Sequence, residues 1–272
     1  MTDHAEKAAA FLALHDGPAP LLIPNPWDAG SARILASLGF QALATTSSGF
    51  AATLGRLDGS VTRDEALGHA QVVVGAVDLP VSADLENCFA DDPAGVAETA
   101  RLAVATGLAG FSVEDYTGND DDPIYDLALA AERVAAAAEA AHSGPARLVV
   151  TARSENYLHD RADLADTIAR LQAFQAAGAD VLYAPGISSP EDIRSVVCSV
   201  DRPVNVLALP NGPDVAGLAA LGVRRISVGG AFAYAAIARL VDAGRELMED
   251  GTLGFWQRSS IGGVAARAAF TD

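Results

Sequence analysis

The chain has 272 residues and a formal net charge of −17, from 35 acidic and 18 basic side chains. This charge argues against binding to nucleic acid or to anionic membranes, because phosphate groups need clustered Lys and Arg. No apolar run reaches the roughly 18 residues of a membrane span, and residues 1–10 do not resemble a signal peptide. The two cysteines are far apart and form no CxxC motif, so the sequence predicts a cytoplasmic protein.

From the N terminus, the sequence predicts a helix over residues 5–15 and a first strand over 21–25. Asp28 then stands where a helix N-cap is expected, ahead of a short apolar-periodic segment. The second predicted strand, 42–45, opens into a turn of small residues, 46–49. Backbone N–H groups in such a turn can meet an anion.

The rest of the chain continues this alternation of strand and helix. Capping residues indicate helix starts at Thr62, at Asp92-Pro93 and at Pro190. Apolar residues spaced by three and four indicate helices over 126–141 and 164–177. The other predicted strands are 81–85, 110–113, 148–152, 181–183, 203–207 and 225–228, and the later helices are 213–221 and 231–250.

Eight strands separated by helices, with no Pro/Ser-rich linker, favour one α/β domain over residues 1–272, a (β/α)8 barrel. Residues 1–18 are its N-terminal helical segment, and residues 251–272 are a C-terminal tail in which a further helix is expected. An open, doubly wound sheet is the alternative. Such a sheet usually has a Gly-rich turn after its first strand, and residues 24–27, PNPW, do not form one.

Polar side chains follow four consecutive predicted strands. They are Thr46, Ser47 and Ser48 after the second strand, Asp84 and Glu86 after the third, Glu114 after the fourth, and Arg153 and Glu155 after the fifth. The C-terminal strand ends of a barrel form its active site, and Asp58 lies in a loop that can fold over the same end. Because the faces of a strand alternate, Asp84 and Glu86 are expected on one side.

Crowded carboxylates repel each other, and a hard divalent cation such as Mg²⁺ is the simplest neutraliser. Arg153 suits a substrate carboxylate or phosphonate. Simpler interpretations also exist: Asp115 is interpreted as a turn or cap residue, and Glu155 as a salt-bridge partner of Arg153. Cys88 is expected to be a semi-buried thiol and not a nucleophile. The one lysine, Lys7, precedes the first strand, which argues against Schiff-base chemistry.

Five segments together carry a resemblance to a known family. The sequence resembles the isocitrate lyase and phosphoenolpyruvate mutase superfamily over most of its length, through the order and spacing of these segments. They are Pro24-Asn25-Pro26-Trp27-Asp28-Ala29, Thr45-Thr46-Ser47-Ser48-Gly49 with Leu54-Gly55-Arg56-Leu57-Asp58, Ala83-Asp84-Leu85-Glu86-Asn87, Val113-Glu114-Asp115 and Thr151-Ala152-Arg153-Ser154-Glu155.

The resemblance implies a barrel that binds Mg²⁺ or Mn²⁺ and acts on α-oxo or α-hydroxy acids through an enolate or a similar oxyanion. It assigns the metal to Asp84, Glu86 and Glu114. It assigns catalytic roles to Arg153, Asp58 and Thr46. The residues that it assigns to substrate binding are Trp27, Thr46, Ser47, Ser48, Gly49, Asp84, Asn119, Arg153 and Glu155. Members are typically homodimers or homotetramers that exchange C-terminal helices, so helix 231–250 and the tail are expected at a subunit interface.

The loop after the fourth strand departs from the superfamily pattern. In the superfamily that this sequence resembles, the isocitrate lyases carry a catalytic cysteine in this loop, and the mutases carry a lysine and an asparagine. Residues 116–123, YTGNDDDP, offer Asn119 alone. The sequence looks most like mutase-like members of unassigned substrate, often described as carboxyvinyl-carboxyphosphonate phosphorylmutase-like.

Three hypotheses follow from these residues. The first is a Mg²⁺-dependent lyase or mutase that acts beside the enolate of an oxo acid. C–C cleavage is favoured over P–C chemistry because water can protonate the enolate, so no acid from the loop is needed. The second is phosphonomutase activity, and the third is a barrel that binds metal and oxo acid without catalysis. A structural barrel without a ligand site is the simplest alternative.

Overall fold

The computed structural model describes residues 3–270 and contains eight parallel strands in one sheet. Each strand pairs with the next along the chain from β2 to β8, and β8 pairs with β1. The gap between β1 and β2 is bridged by the Ala44 N–H, which donates to the Pro24 carbonyl over 3.1 Å. The strands are β1 (Leu21–Ile23), β2 (Leu43–Ala44), β3 (Val81–Ala83), β4 (Gly110–Glu114), β5 (Val149–Arg153), β6 (Val181–Tyr183), β7 (Val204–Leu207) and β8 (Arg225–Ser227). The prediction of a (β/α)8 barrel is confirmed.

Helices surround this barrel and cover one of its ends. They are α1 (His4–Leu14), α2 (Ala29–Ser37), α3 (Ser47–Thr53), α4 (Arg63–Ala76), α5 (Pro93–Ala105), α6 (Leu127–His142), α7 (Leu164–Ala176), α8 (Pro190–Ser199), α9 (Val215–Ala220), α10 (Ala231–Arg245) and α11 (Phe255–Ala269). None of the helices in residues 3–270 combines the length and the apolar character needed to cross a lipid bilayer.

Side chains that precede the helices explain where several of them begin. The Asp28 carboxylate accepts the Ser31 N–H at the start of α2, and Asp92 accepts two N–H groups at the start of α5. Thr62 and Glu65 form a reciprocal capping box at α4. The predicted turn at residues 46–49 is instead the first turn of α3, with Thr46 as its N-cap. Because a helix start also presents free N–H groups, the expectation of backbone donors at this point still applies.

Helix α1 closes the barrel at the N-terminal ends of the strands. Phe11 is fully buried there, in a cluster that includes the first residues of β1, β5 and β6. His15 follows the helix, and its Nδ1–H donates to the Phe11 carbonyl over 2.9 Å. Burial and, to a smaller extent, the nearby positive charge of Arg225 lower the pKa of His15 to about 4. The imidazole is therefore neutral at pH 7.

This buried histidine predicts a pH dependence of stability. In the unfolded chain, where the His15 pKa is near its ordinary value of 6.5, the imidazole binds a proton between pH 6.5 and pH 4, whereas in the folded chain it does not. The free energy of unfolding therefore falls as the pH falls from 6.5 to 4. We expect His15 to lower the free energy of unfolding by about 3 kcal/mol between pH 6.5 and pH 4. Urea unfolding at pH 7, 6, 5 and 4 measures it. His15→Gln should flatten the dependence, and His159→Gln, in an outer loop, should leave it unchanged. Equal slopes in all three proteins would contradict the assignment.

The C-terminal helices leave many apolar side chains exposed. Of the 19 large apolar side chains exposed in residues 3–270, 12 follow residue 231. Leu240 is 73% exposed on α10, and Trp256 and Ile261 are 60% and 69% exposed on α11. A short π-helical segment, Glu246–Asp250, extends α10, and Phe270 at the end of α11 lies against α2.

Candidate active site

Arg153, the last residue of β5, lies among three carboxylates at the C-terminal end of the barrel. Its Nη1 lies 3.2 Å from Asp84 and 2.5 Å from Glu114, and its Nε donates to Glu155 over 2.8 Å. Burial by itself would lower the pKa of Arg153, but these carboxylates together raise it well above its ordinary value. The guanidinium group also faces the Tyr183 ring, 5.1 Å from the ring centre. Arg153 is therefore a fixed, permanently charged group.

Asp84 connects this ion-pair cluster to the start of α3. Its Oδ2 accepts the backbone N–H of Ser47 over 3.1 Å, and its Oδ1 accepts the Ser112 hydroxyl over 3.4 Å. Its own N–H donates to the Thr45 hydroxyl. The carboxylate thus contacts residues that follow or belong to β2, β4 and β5, which holds it at the centre of the site.

Glu86 lies near Asp84 for a different reason from the one expected. Strand β3 ends at Ala83, so strand alternation does not extend to Glu86, and that argument is wrong. Glu86 has a φ of +50°, and Cys88 and Phe89 that follow also have positive φ. The chain therefore turns sharply after Leu85, and side chains two residues apart no longer point along one strand face.

The acids at this end of the barrel are held in an environment that disfavours their charge. Burial and the neighbouring Asp84 and Asp58 raise the pKa of Glu86 to about 7. Burial raises the pKa of Glu114 well above its usual range, although Arg153 opposes the shift. The pKa of Asp58 is also raised, by surrounding protein atoms and by Asp84. With Glu155 and Asp84, five acidic side chains therefore lie near one guanidinium, which is more acids than a single arginine can neutralise.

This donor set fits a hydrated divalent cation and not an all-protein cage. Within residues 3–270, no group of three or more His, Cys, Asp or Glu side chains is arranged to hold a metal ion directly. Mg²⁺ commonly takes one or two carboxylates and keeps several waters, which outer acids can then bind. Asp84 and Asp58 line the cavity, whereas Glu86 and Glu114 do not. The surplus of acidic oxygen donors over the one arginine matches a cation of this kind.

The cavity beside Arg153 has a volume of about 140 Å³. Of the predicted substrate-binding and catalytic residues, Thr46, Ser47, Ser48, Asp58, Asp84 and Arg153 line it. The hydroxyl groups of Thr46 and Ser48 lie 3.1 Å apart, and Thr46 also accepts the Gly49 N–H. In such a pair one hydroxyl proton remains free to donate to a ligand.

Four other predicted residues lie outside this cavity. Gly49 is buried, and a Cβ there would lie 2.6 Å from Thr46 and 3.1 Å from Trp27, so glycine is needed for packing. Trp27 lines grooves against α10 and not the cavity. Asn119 is exposed, and its side chain accepts the Asp121 N–H. Glu155 is buried behind Arg153. Direct contact of these residues with a substrate stays a prediction.

The loop after β4 projects from the barrel end as a short hairpin. Tyr116 and Ile124 form an antiparallel bridge, and the Tyr116 hydroxyl donates to Asp120 over 2.8 Å. The Tyr116 ring stacks on His159 with centroids 3.9 Å apart.

Burial raises the pKa of the Cys88 thiol, which follows β3, to about 12. Cys88 is fully buried and not half-buried as expected, and a raised thiol pKa agrees with the expectation that it is not a nucleophile.

Asn25 is a residue of this site that sequence reasoning did not select. Its Nδ2 donates to the Thr45 carbonyl over 3.0 Å, and its Oδ1 accepts the N–H groups of Val228 and Gly229. One amide side chain thereby joins the end of β1 to the ends of β2 and β8. It helps to close the barrel between β1 and β2, which do not form a regular strand pair within residues 3–270. Its position between two prolines at a strand end is the signal that could have revealed it.

Asp115 is also more than a turn residue. Its Oδ1 accepts the Glu155 N–H over 2.8 Å, and its Oδ2 lies 3.2 Å from Nη1 of Arg170. Arg170 also binds Asp166 and the Tyr125 carbonyl. Burial raises the pKa of Asp115 to about 7, against the lowering by the Glu155 N–H and Arg170. This buried network fixes the backbone of Glu155, which in turn holds Arg153.

Replacing Asp115 with asparagine should therefore affect both stability and catalysis. We expect the free energy of unfolding to fall by about 3 kcal/mol, because a buried arginine loses a carboxylate partner. We expect kcat/KM to fall about tenfold, because Arg153 loses its positioned neighbour Glu155. Urea unfolding and steady-state kinetics measure the two effects. Asp163→Asn, which keeps a good N-cap for α7, is the control and should change neither. A loss of less than 1 kcal/mol in Asp115→Asn would refute the structural role.

The sequence matches the phosphoenolpyruvate phosphomutase family over residues 11–248. The chain belongs to this family. The structure is similar to that of a Burkholderia cenocepacia J2315 protein described as a lyase/mutase, with a TM-score of 0.91 and 53% identity over 93% of this chain and 92% of that chain. The uncharacterized protein Rv1998c of Mycobacterium tuberculosis H37Rv is 33% identical over 250 residues, 88% of this chain and 91% of that protein.

Curated relatives of this phosphoenolpyruvate phosphomutase family member include enzymes of known reaction. The oxaloacetate decarboxylase of Chromohalobacter salexigens is 29% identical over 231 residues, 81% of this chain and 78% of that enzyme. The predicted membership in the phosphoenolpyruvate mutase and isocitrate lyase superfamily is thus confirmed. The chain is an enzyme of this superfamily, whose members are lyases and mutases and generally depend on a divalent metal.

Proposed function

We propose that this enzyme is a Mg²⁺-dependent lyase that breaks a C–C bond next to the carboxylate of an α-oxo or α-hydroxy acid. The observation that carries the proposal is the position of Arg153 among Asp84, Glu114 and Glu155 at the cavity. A cation and an arginine placed where negative charge develops stabilise a transition state more than a ground state. Similarity to an oxaloacetate decarboxylase supports cleavage of this type.

Asp84 is the residue that we expect to hold the metal directly, with Asp58, Glu86 and Glu114 acting through water. A divalent cation bound there supplies electrostatic stabilisation of an enolate oxygen. The metal-free protein disfavours the ionised forms of Glu86 and Glu114, so cation binding and deprotonation of these acids should be coupled.

Arg153 and the start of α3 would bind the substrate carboxylate from two sides. The guanidinium of Arg153 lines the cavity and offers its positive charge to the carboxylate, and its position is already set by Glu155 and Tyr183. The hydroxyl groups of Thr46 and Ser48 offer further donors to the same cavity. Since these groups need little rearrangement, the carboxylate binds in a geometry that orients the bond to be broken.

The chemistry of the bond is then simple to balance. In an oxo diacid, the bond between the methylene carbon and the distal carboxylate breaks, and carbon dioxide leaves. The electron pair of that bond passes to the oxo oxygen, which forms an enolate. A proton from water on the methylene carbon completes the reaction. This route requires no general acid in the loop after β4, where residues 116–123 contain no Cys, Lys or His.

A coupled assay of pyruvate release over a panel of oxo and hydroxy diacids tests the proposal. Turnover should disappear with EDTA and return with added Mg²⁺. Metal-independent turnover, or no turnover on any member, would count against it. Oxalate, which mimics the enolate, should inhibit only when Mg²⁺ is present. Tight Mg²⁺-dependent oxalate binding without turnover would favour the barrel that binds and does not catalyse.

Phosphonomutation is the second candidate, and the family match favours it. It requires a group that holds a phosphoryl fragment between two positions, and the exposed loop offers Asn119 without a lysine. Phosphonopyruvate in the same panel, followed by ³¹P NMR, decides between the two. Appearance of a phosphate ester without pyruvate release would replace the lyase with a mutase.

We also propose that the enzyme associates with further copies of itself through α10 and α11. Exposed large apolar side chains, including Tyr234, Leu240, Trp256 and Ile261, are concentrated on these helices within residues 3–270, and such a concentration marks an interaction surface. Light scattering coupled to gel filtration should show a dimer or tetramer. Leu240→Asp with Trp256→Asp should shift it to a monomer, and a monomeric wild-type protein would refute the proposal.

A further inference from the structure

The interior of this barrel is unusually polar below the proposed active site. Branched apolar side chains normally fill the interior of such a barrel. Here the cavity that begins at Arg153 continues between polar side chains from five of the eight strands. They are Ser82 of β3, Ser112 of β4, Thr151 of β5, Tyr183 of β6, and Arg225 and Ser227 of β8. The cavity therefore has a second charged end, at Arg225.

Arg225 is buried without the partners that a buried arginine normally has. The side chain is 5% exposed, and its Nη1 donates to the Thr151 hydroxyl over 2.9 Å. Among residues 3–270, its Nε has no hydrogen-bond partner, and no carboxylate forms an ion pair with it. Its guanidinium also lies over the Phe11 ring, 6.0 Å from the ring centre. By contrast, the buried Arg170 has two acids, and the guanidinium of Arg133, although its Nε also lacks a partner, donates to three backbone carbonyls. Burial of an unpaired charge is costly, so a partner for Arg225 is expected.

The groups around Arg225 are suited to an anion. The Thr151 hydroxyl accepts from Arg225, and the Ser227 hydroxyl accepts from Asn205 over 3.0 Å. The Thr151 hydroxyl can therefore turn its own proton towards a ligand. The Ser227 hydroxyl also hydrogen-bonds with Tyr183, so a ligand would share that hydroxyl with the tyrosine. Burial lowers the pKa of Arg225 to about 10, which still leaves the group charged at pH 7. His15 below it is neutral at that pH.

We infer that Arg225, with the hydroxyl groups of Thr151 and Ser227, forms an anion-binding subsite that takes the second acidic group of a dianionic substrate. The inference rests on the proposed function, because it takes the first carboxylate to lie at Arg153. The second group is a carboxylate or phosphonate, whose oxygens match the donors of a guanidinium. A free inorganic anion has the same chemistry, and the experiment separates the two sources.

Lactate and malate form a matched pair of probes, since malate is lactate with a second carboxylate. Calorimetric titration with Mg²⁺ present should show that the wild-type protein binds malate about tenfold to a hundredfold more tightly than lactate. Arg225→Gln should remove this preference and leave lactate affinity within about twofold. Arg224→Gln, at the residue just before β8, is the control. Arg224 donates outside the cavity, to the carbonyls of His15 and Gly17, so the malate preference should persist.

The outcomes separate the subsite from the proposed function. Wild-type protein without a malate preference, or Arg225→Gln with the preference intact, overturns the subsite. The wild-type comparison decides this even if Arg225→Gln does not fold, and Thr151→Val then serves as the second variant. If neither acid binds the wild type, the proposed function has failed, and inorganic phosphate becomes the probe. Phosphate binding that Arg225→Gln abolishes would support a site for a free anion, and no phosphate binding would overturn the subsite entirely.

Discussion

Replacing Arg153 with methionine is expected to lower kcat/KM by about a thousandfold or more. The substitution removes the only guanidinium at the cavity end that holds Asp84 and Glu114, while it keeps a side chain of similar length. Catalysis suffers because the substrate carboxylate and the developing negative charge lose their fixed cation. The loss should appear mainly in kcat if Arg153 acts on the transition state, and mainly in KM if it binds the carboxylate equally in both states.

Stability must be measured beside activity in this experiment. Removal of one partner from a buried ion pair costs about 3 to 5 kcal/mol. Arg153→Lys keeps the charge but loses the planar fork, so it should retain most of the stability and still lose about a hundredfold in kcat/KM. Arg101→Met, in an exposed pair with Glu98 on α5, is the control and should behave as wild type. An Arg153→Met enzyme with more than about a tenth of wild-type kcat/KM would show that Arg153 has no central role.

Replacing Asp84 with asparagine is expected to weaken Mg²⁺ binding and to lower kcat by about a hundredfold or more. The amide oxygen can still accept the Ser47 N–H, so the packing should change little while one formal charge is lost. Manganese binding measured by electron paramagnetic resonance reports affinity for the ion without reference to turnover. Activity measured against Mg²⁺ concentration reports whether high metal restores the rate.

The control for Asp84 is another aspartate of the same segment. Asp92 caps α5 on the exposed surface, and asparagine is an equally good cap, so Asp92→Asn should alter neither metal binding nor kcat. Loss of activity in Asp84→Asn with unchanged manganese affinity would place the effect on the substrate. Unchanged activity would remove Asp84 from the site.

Most of the fold could be predicted from the sequence because its signals are local. Apolar β-branched runs such as Val149–Arg153 predict buried strands, and capping residues such as Asp92 and Thr62 predict helix starts. The count of eight strands then favours closure. The polar residues at strand ends, such as Asp84 and Arg153, follow from the same reasoning, because parallel strands end together.

Other features depended on how distant segments meet. The sharp turn that places Glu86 cannot be read from residue types that normally avoid positive φ. Asp115 looked like a turn residue because Arg170, its partner, lies 55 positions away in the chain. The small residues after β2 read as a turn, although α3 begins there, because Ser and Gly are poor helix formers outside the first turn.

The sequence by itself determined a barrel with acids and an arginine at one end, because strand periodicity, caps and strand-end polarity are properties of short segments. Only the tertiary structure decided which charges touch. The pairing of neighbouring strands brings Arg153 within contact of Asp84, which follows β3, and of Glu114, the last residue of β4. Closure of the barrel also buries Arg225 at the far end of the same cavity. A charged residue near the start of a strand gives no local sign of facing inward. Its environment is set by the seven other strands that close around it.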